Sequence, residues 1–248
     1  MDTTTLRVLP CGDTGLLVES AGLDDVLALH AALDADRPAG VVDLVPAART
    51  LLLRFDPART GAVAVERAVR EANPVAVARS EGELVEIPVV YDGPDLADVA
   101  HHTGLSERDV IAEHTGCEWT VAFGGFAPGF GYLTGGSPRL EVPRRGESRT
   151  RVPTGSVALA GTFSGVYPRA SPGGWQLIGR TDLVTWDVDR DPPALLRPGV
   201  RVRFVEAAGP EATGFEATEP EATGFEGTEP EAAERGEPGP DRTAGGGS

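Results

Sequence analysis

Lysine is absent from this sequence of 248 residues, in which all 22 basic residues are arginine. This absence excludes a Schiff-base lysine, a lysine general base and the lysine of a Walker A phosphate loop. Cysteine is also scarce, and Cys11 and Cys117 form neither a disulfide framework nor a C-x-x-C pair. The four histidines have no H-E-x-x-H or His-x-His spacing, so we expect no metal site.

Long apolar runs are missing as well, and the N-terminal MDTTTLRVLP has neither the basic nor the apolar region of a signal peptide. We therefore expect a soluble, cytoplasmic protein. The formal net charge is −16, with acidic residues dominant after residue 205. So negative a protein is a poor match for nucleic acid or an anionic membrane.

The first part of the chain, residues 1–82, predicts a small α+β domain. Short apolar strands at 6–9, 15–19, 41–45 and 51–55 alternate with two segments of helical periodicity, from Leu23 to Leu33 and from Val65 to Ala72. Two helices against an antiparallel sheet resemble a ferredoxin-like sandwich. The segment 73–83 lacks periodicity and is the predicted linker.

Residues 84–205 predict a β-rich domain. Apolar residues recur with one-in-two spacing near 84–90, 119–123, 157–159, 184–188 and 200–204, separated by glycine and proline turns. This pattern favours a closed or nearly closed barrel. Residues 206–248 repeat EATGFE-type segments rich in acid, glycine and proline, and we expect this tail to be disordered.

Segment 95–114 resembles a DNA-binding helix-turn-helix. Its second helix, however, would present Glu107, Asp109 and Glu113 to the phosphates of the groove. Carboxylates in that position are strongly unfavourable. We therefore interpret the segment as a helical hairpin on the barrel.

The block from Phe123 to Thr181 differs from ordinary core patterning. It contains GFAPGFGYLTG, VPTGSVALAG and GVYPRASPGGWQLIGRT, whose glycines and prolines fix the shape of tight loops. Between Arg139 and Arg180 it holds seven arginines and only two acidic residues. A local positive field in an acidic protein indicates an anionic small ligand. On composition alone the glycine-rich loop fits a tight strand connection as well as a ligand-lining loop.

These motifs resemble the allophanate hydrolase subunit 1 family, and the likeness extends from CGDTGLLVE near the N-terminus to PGVRVRF at 198–204. One departure is that many members carry a Gln-Thr pair where this chain has Phe163 and Ser164. The resemblance implies a cyclophilin-like barrel after the ferredoxin-like domain. It also favours a ligand-lining role for the glycine-rich loop.

The family resemblance further implies a subunit of an ATP-dependent 5-oxoprolinase, which opens 5-oxoproline to glutamate. The expected partners are a second allophanate-hydrolase-like subunit and a LamB/YcsF-type subunit, with ATP used at the level of the complex. Two alternatives share the same motifs: a KipI-like inhibitor of a sensor histidine kinase, and a carboxyltransferase-type module of a urea or allophanate pathway.

The candidate site residues follow from this block. Arg144, Arg151 and Arg180 are expected to hold carboxylate or phosphoryl oxygens, because a guanidinium can form two parallel hydrogen bonds. His114 matches a histidine that recurs in the family and is the candidate acid or base, with helix capping as the alternative. The remaining candidates for substrate binding are Phe126, Pro128, Gly129, Phe130, Tyr132, Ser156, Tyr167, Ser171, Gly173, Gly174 and Trp175.

Overall fold

The computed structural model describes residues 6–74 and 82–209. Most of the predicted linker and nearly all of the predicted acidic tail, namely residues 75–81 and 210–248, lie outside the described residues. No helix in the described ranges has both the length and the apolar character needed to cross a membrane.

The first half forms a four-stranded antiparallel sheet with two helices. In chain order the elements are β1 (Arg7–Pro10), β2 (Gly15–Glu19), α1 (Leu23–Ala35), β3 (Val41–Pro46), β4 (Thr50–Phe55) and α2 (Ala62–Glu71). The strand order is β1-β2-β4-β3. This is a ferredoxin-like sheet whose edge strand precedes the first helix instead of following the second. Apolar residues of both helices and of the sheet form one aliphatic core, which confirms the predicted α+β arrangement.

The second half is a nearly closed barrel. Its strands are β5 (Leu84–Val89), β6 (Trp119–Gly124), β7 (Gly131–Thr134), β8 (Arg149–Val152), β9 (Ser156–Ala160), β10 (Phe163–Val166), β11 (Ser171–Gly173), β12 (Gln176–Arg180) and β13 (Arg201–Glu206). Seven strands pair in the order β12-β9-β10-β7-β6-β13-β5, while β8 and β11 form a separate antiparallel pair. The two outermost strands meet where Val90 and Arg180 exchange backbone hydrogen bonds of 2.9 Å.

Two short helices, α3 (Leu96–Thr103) and α4 (Glu107–Thr115), pack on this barrel. The Ser106 side chain caps α4 through a capping box with Asp109, and this satisfies backbone donors that the first turn would otherwise leave open. Val99 and Val110 are fully buried in the barrel core. The pair is therefore a helical hairpin on the barrel, as predicted.

The predicted strand at Val184, Trp186 and Val188 is wrong. The segment makes only an isolated bridge, between Trp186 and Ala194. All three apolar side chains are exposed, while Thr185 between them is buried. The one-in-two spacing is therefore real, but it places the polar residue inside and the apolar residues outside.

Candidate functional site

Strand β9 separates two hydrophobic clusters of different character. Val157 and Leu159 belong to the cluster that fills the barrel interior, to which all seven barrel strands contribute. Ala158 and Ala160 point the other way, because successive strand residues face opposite sides, and they belong to a second, aromatic cluster. We call these two sides the inner face and the outer face of the barrel.

Phe130 is the centre of the aromatic cluster on the outer face. Its ring makes edge-to-face contacts with Phe126, Tyr132, Tyr167 and Trp175, at centroid distances between 5.1 and 5.4 Å. Such geometry is favourable because the positive ring edge meets the negative ring face. The five rings therefore form a mutually supporting group rather than isolated side chains.

A pocket of about 270 Å³ opens among these rings. All five of the aromatic residues line it, and Arg144 is the one charged residue in the lining that the structure describes. The lining residues are Phe126, Phe130, Tyr132, Arg144, Ser148, Tyr167, Pro172, Gly173, Gly174 and Trp175. An apolar cavity with a few polar groups is the usual form of a small-molecule site.

The two tyrosines supply neutral hydrogen-bond donors to this pocket. Burial raises the pKa of Tyr132 and the pKa of Tyr167. The positive charge of Arg144 opposes this rise at Tyr132, and at Tyr167 a backbone hydrogen bond with Trp175 and the charge of Arg144 oppose it. Both phenols therefore stay protonated at neutral pH. The pocket combines one permanent positive charge with two O–H groups, which suits a ligand that carries a carboxylate and a carbonyl oxygen.

Glycine is required at one wall of the pocket because the backbone passes close to the Tyr167 hydroxyl. A Cβ atom added at Gly173 would overlap that oxygen. At the neighbouring Gly174, an added Cβ would lie 2.8 Å from the Ser148 Oγ. The Gly-Gly pair of the SPGGW motif thus lets the wall approach the tyrosine and the serine without a clash.

The loop that carries Phe126 is under backbone strain. Phe126 has φ of 63°, and the Ala127 N–H donates to the Gly125 carbonyl at 2.6 Å, so the turn closes around the phenylalanine. A bulky residue with positive φ is a true outlier. Its ring nevertheless remains 57% exposed at the pocket. Backbone strain of this kind is concentrated at binding and active sites, so it marks Phe126 as a candidate site residue.

Eight of the predicted site residues line this pocket: Phe126, Phe130, Tyr132, Arg144, Tyr167, Gly173, Gly174 and Trp175. Ser148 and Pro172 line it too and are not among the predicted residues. Pro128, Gly129, Arg151, Ser156, Ser171 and Arg180 are outside its lining. Gly129 has a packing role, since an added Cβ would lie 2.6 Å from the Cβ of Trp186. The Ser156 hydroxyl donates to the carbonyl of Pro153 at 2.9 Å and holds a turn.

The three arginines proposed to act together are not brought together at this pocket. Arg144 lines it, whereas the Arg180 Nε donates to the Asp92 carboxylate at 2.9 Å. Arg151 is exposed on β8. Within the described ranges, Arg144, Arg151 and Arg169 form no ion pair with an acid. The guanidinium of Arg144 is thus available to an anionic ligand.

His114, the predicted acid or base, lies on the inner face and does not line the pocket. Its ring is completely buried and stacks on Phe204 with centroids 4.1 Å apart. Nδ1 is hydrogen-bonded to the Tyr91 hydroxyl at 2.7 Å and Nε2 to the Ser164 hydroxyl at 2.9 Å. Burial lowers the pKa of His114 to about 3. The structure therefore places a neutral, fully bonded imidazole in the barrel core.

Comparison with known proteins shows the relationships of the chain. A family model described as carboxyltransferase domain, subdomain C and D, matches residues 6–196. The B subunit of the 5-oxoprolinase of Escherichia coli O157:H7 is 48% identical over 170 residues, which cover 66% of this chain and 78% of that protein.

Two solved structures share the fold of this chain. The crystal structure of TTHA0988 has a TM-score of 0.65 at 40% identity, and the match covers 79% of this chain and 40% of that chain. This chain therefore spans less than half of TTHA0988. K. lactis urea amidolyase, with a TM-score of 0.67 at 20% identity over 84% of this chain and 15% of that one, shares the fold. The chain belongs to the carboxyltransferase domain family, in the part formed by subdomains C and D.

Proposed function

We propose that this chain is the B subunit of an ATP-dependent 5-oxoprolinase, in which the pocket on the outer face binds 5-oxo-L-proline. The observation that carries the proposal is the unpaired Arg144 guanidinium set among aromatic rings. It is supported by the 48% identity to the B subunit of the Escherichia coli 5-oxoprolinase. An inhibitor that acts through its surface would not need a cavity lined by aromatic rings and an arginine.

The chemistry of 5-oxoproline matches the pocket group by group. Its carboxylate can accept two parallel hydrogen bonds from the guanidinium of Arg144. Its lactam carbonyl can accept a hydrogen bond from the protonated hydroxyl of Tyr132 or Tyr167. The small, nearly flat ring can lie between aromatic side chains, as apolar parts of ligands usually do. We propose that these residues bind and orient the lactam and polarise its carbonyl.

ATP does not fit the same pocket. At about 270 Å³ the cavity is smaller than the range of roughly 300–1,000 Å³ that drug-sized ligands occupy. The chain also lacks any lysine for a phosphate loop. We therefore propose that the nucleotide binds to the partner subunits, a second allophanate-hydrolase-like subunit and a LamB/YcsF-type subunit. Their need for ATP makes the cytoplasm the expected location.

The test compares two arginines of this chain in the assembled complex. Arg144→Ala removes a charged hydrogen bond of about 1.5–3 kcal/mol, which is roughly ten- to a hundredfold in the affinity for 5-oxoproline. Arg144→Lys should restore only part of it, because an ammonium cannot form the two-pronged contact. Arg151→Ala, at an exposed and equally unpaired arginine outside the pocket, is the matched control and should keep near wild-type turnover.

The measurement is ATP-dependent release of glutamate after the chain is mixed with its two partner subunits, together with the thermal stability of each variant. We expect the chain alone to be inactive, since it has no lysine for a phosphate loop and its aromatic pocket is too small for ATP. Equal and small effects of the two alanine variants would contradict the proposed pocket. Robust glutamate release by the isolated chain would contradict the composite site.

A further inference from the structure

A buried carboxylate, Asp95, lies behind the pocket wall at the start of helix α3. Its side chain is almost inaccessible, yet both of its oxygens accept hydrogen bonds. Oδ1 accepts from the guanidinium of Arg145 at 2.6 Å and from that of Arg149 at 2.7 Å, and Oδ2 accepts from the backbone N–H of Leu177 at 2.7 Å. One carboxylate thus joins a helix, a barrel strand and both ends of the loop 145–149.

The same segment carries two of the polar residues of the pocket, Arg144 and Ser148. Arg144 precedes its first anchored arginine, and Ser148 precedes its second, and both line the cavity. The backbone N–H of Arg145 donates to the carbonyl of Gly174 at 2.8 Å, which ties the loop to the opposite wall. A charged hydrogen bond at each end of the loop restricts where Arg144 and Ser148 can lie.

The charge balance explains why this arrangement depends on Asp95. Two guanidinium groups share one carboxylate, and the Arg145 Nε and the Arg149 Nη1 are buried with no hydrogen-bond partner among the described residues. Removal of the single carboxylate would leave two partly buried positive charges next to each other, a costly state that the loop can relieve only by moving outward.

We infer that Asp95 is a positioning residue of the pocket. It holds segment 143–149, and with it Arg144 and Ser148, against the wall formed by residues 172–175. The identity of the ligand, 5-oxoproline, rests on the proposed function. The claim that Asp95 holds the loop is independent of it. Asp95 itself touches no ligand, since it is not part of the pocket lining.

The experiment uses Arg149→Met as the main variant, because it removes the ion pair between Arg149 and Asp95 while the pair between Arg145 and Asp95 remains. Asp95→Asn is the second variant, and Arg139→Met, which loses a surface pair with Glu113, is the matched control. Binding of 5-oxoproline to the full chain is measured by titration calorimetry. Each variant is also combined with Arg144→Ala.

We expect Arg149→Met to weaken 5-oxoproline binding by about tenfold, and Asp95→Asn by at least as much if it folds. In the Arg144→Ala background the same changes should have a much smaller further effect, because of the two pocket residues that the loop positions only Ser148 is then left. Arg139→Met should leave binding unchanged in both backgrounds. Losses that simply add in the double variants would overturn the inference, since a purely structural role predicts additivity.

A second readout needs no ligand. The Arg145 amide donates to Gly174, so its hydrogen-exchange protection reports whether the loop is held. It should fall in Arg149→Met and stay unchanged in Arg139→Met. Unchanged protection in Arg149→Met overturns the inference. If the wild-type chain fails to bind 5-oxoproline but the protection falls as expected, the proposed substrate is wrong while the positioning role of Asp95 stands.

Discussion

The inner and outer faces of the barrel differ in what a single strand presents to each. On the inner face of β9, Val157 and Leu159 pack into a large, mostly aliphatic core. On its outer face, Ala158 and Ala160 leave room for bulky rings such as Trp175. One face is therefore built for stability, whereas small strand residues on the other make room for an aromatic pocket with a charged wall.

Polar groups also differ between the two faces. On the inner face, the His114 imidazole has a partner for each ring nitrogen and no route to solvent. On the outer face, Arg144 has no acidic partner among the described residues and lines an open cavity. A fully bonded buried group contributes to a defined core, while an unpaired charge at a cavity is available to a ligand.

The largest expected effect concerns the inner face and pH. Because burial lowers the folded-state pKa of His114 to about 3, the unfolded chain binds a proton near its ordinary value of 6.5 before the folded chain does. The resulting stability is fully present above pH 6.5 and is lost as the pH falls toward 3, by several kcal/mol in free energy of unfolding. Thermal scans across this range measure the slope.

The control is His114→Gln, which keeps a neutral side chain. Its melting temperature should depend less on pH between pH 6.5 and pH 3, even if the substitution lowers overall stability. The same change at His102, which is exposed on α3, should leave the slope unaltered. Equal slopes for wild type and His114→Gln would show that the buried imidazole does not govern acid stability.

A smaller effect separates the two faces directly. Leu159→Ala on the inner face should cost about 2–5 kcal/mol of stability, because it leaves a cavity in the core, yet it should change the affinity for 5-oxoproline little. Ala158→Leu on the outer face should cost about 1–3 kcal/mol through overpacking and should also weaken binding by displacing the rings. Denaturant unfolding and calorimetry give both quantities. If the two variants weakened the binding of 5-oxoproline equally, the distinction between the inner and outer faces would be wrong.

The smallest expected effect comes from a substitution at Phe126, which should leave stability unchanged or raise it while it weakens the binding of 5-oxoproline. Phe126→Gly relieves the positive φ, which costs an ordinary residue about 1–2 kcal/mol, so the melting temperature should rise or stay level. The same change removes a ring from the pocket and should weaken binding of 5-oxoproline. Phe126→Ala keeps the strain and loses the ring, so it should bind poorly without the gain. A fall in stability of Phe126→Gly below that of Phe126→Ala would show that the turn is not strained.

Much of the fold follows from local sequence signals. In the first half, aliphatic alternation and helical spacing are uninterrupted, and every strand and helix there is predicted to within a few residues. In the barrel, the short strands β7, β8, β10, β11 and β12 are not predicted individually, because strands of three to five residues carry little periodicity, and all of them except β8 also contain a glycine. Gly165 of β10 shows why glycine stands in such a strand, because an added Cβ would lie 2.9 Å from the ring of Phe130.

The arginine cluster shows where sequence proximity misleads. Only two acids lie within the segment that contains the seven arginines, which predicts a largely unpaired group. The fold supplies three acids from distant positions, Asp92, Asp95 and Glu113, which pair with four of these arginines. Tertiary structure therefore decides which guanidinium groups can bind a ligand. Arg144 lines the pocket, whereas Arg180 is paired with Asp92. Ser148 has no sequence signal of its own, because its place in the pocket wall depends on contacts that its loop makes with distant residues such as Asp95 and Gly174.

The family motifs identify His114 without showing its surroundings. The predicted helix position is correct, but the imidazole faces the barrel core, where Ser164 of this chain is its hydrogen-bond partner. Of the two residues that depart from the common Gln-Thr pair, Ser164 therefore lies in the interior, and Phe163 packs against Tyr132 without lining the pocket itself.

The most direct test of the pocket is a crystal structure of the chain with 5-oxoproline at saturating concentration. We expect the ligand on the outer face, with its carboxylate within hydrogen-bond distance of the Arg144 guanidinium and its ring against Phe130 and Trp175. A ligand bound anywhere else on the chain, or a pocket that stays free of ligand at saturation, would contradict the assignment.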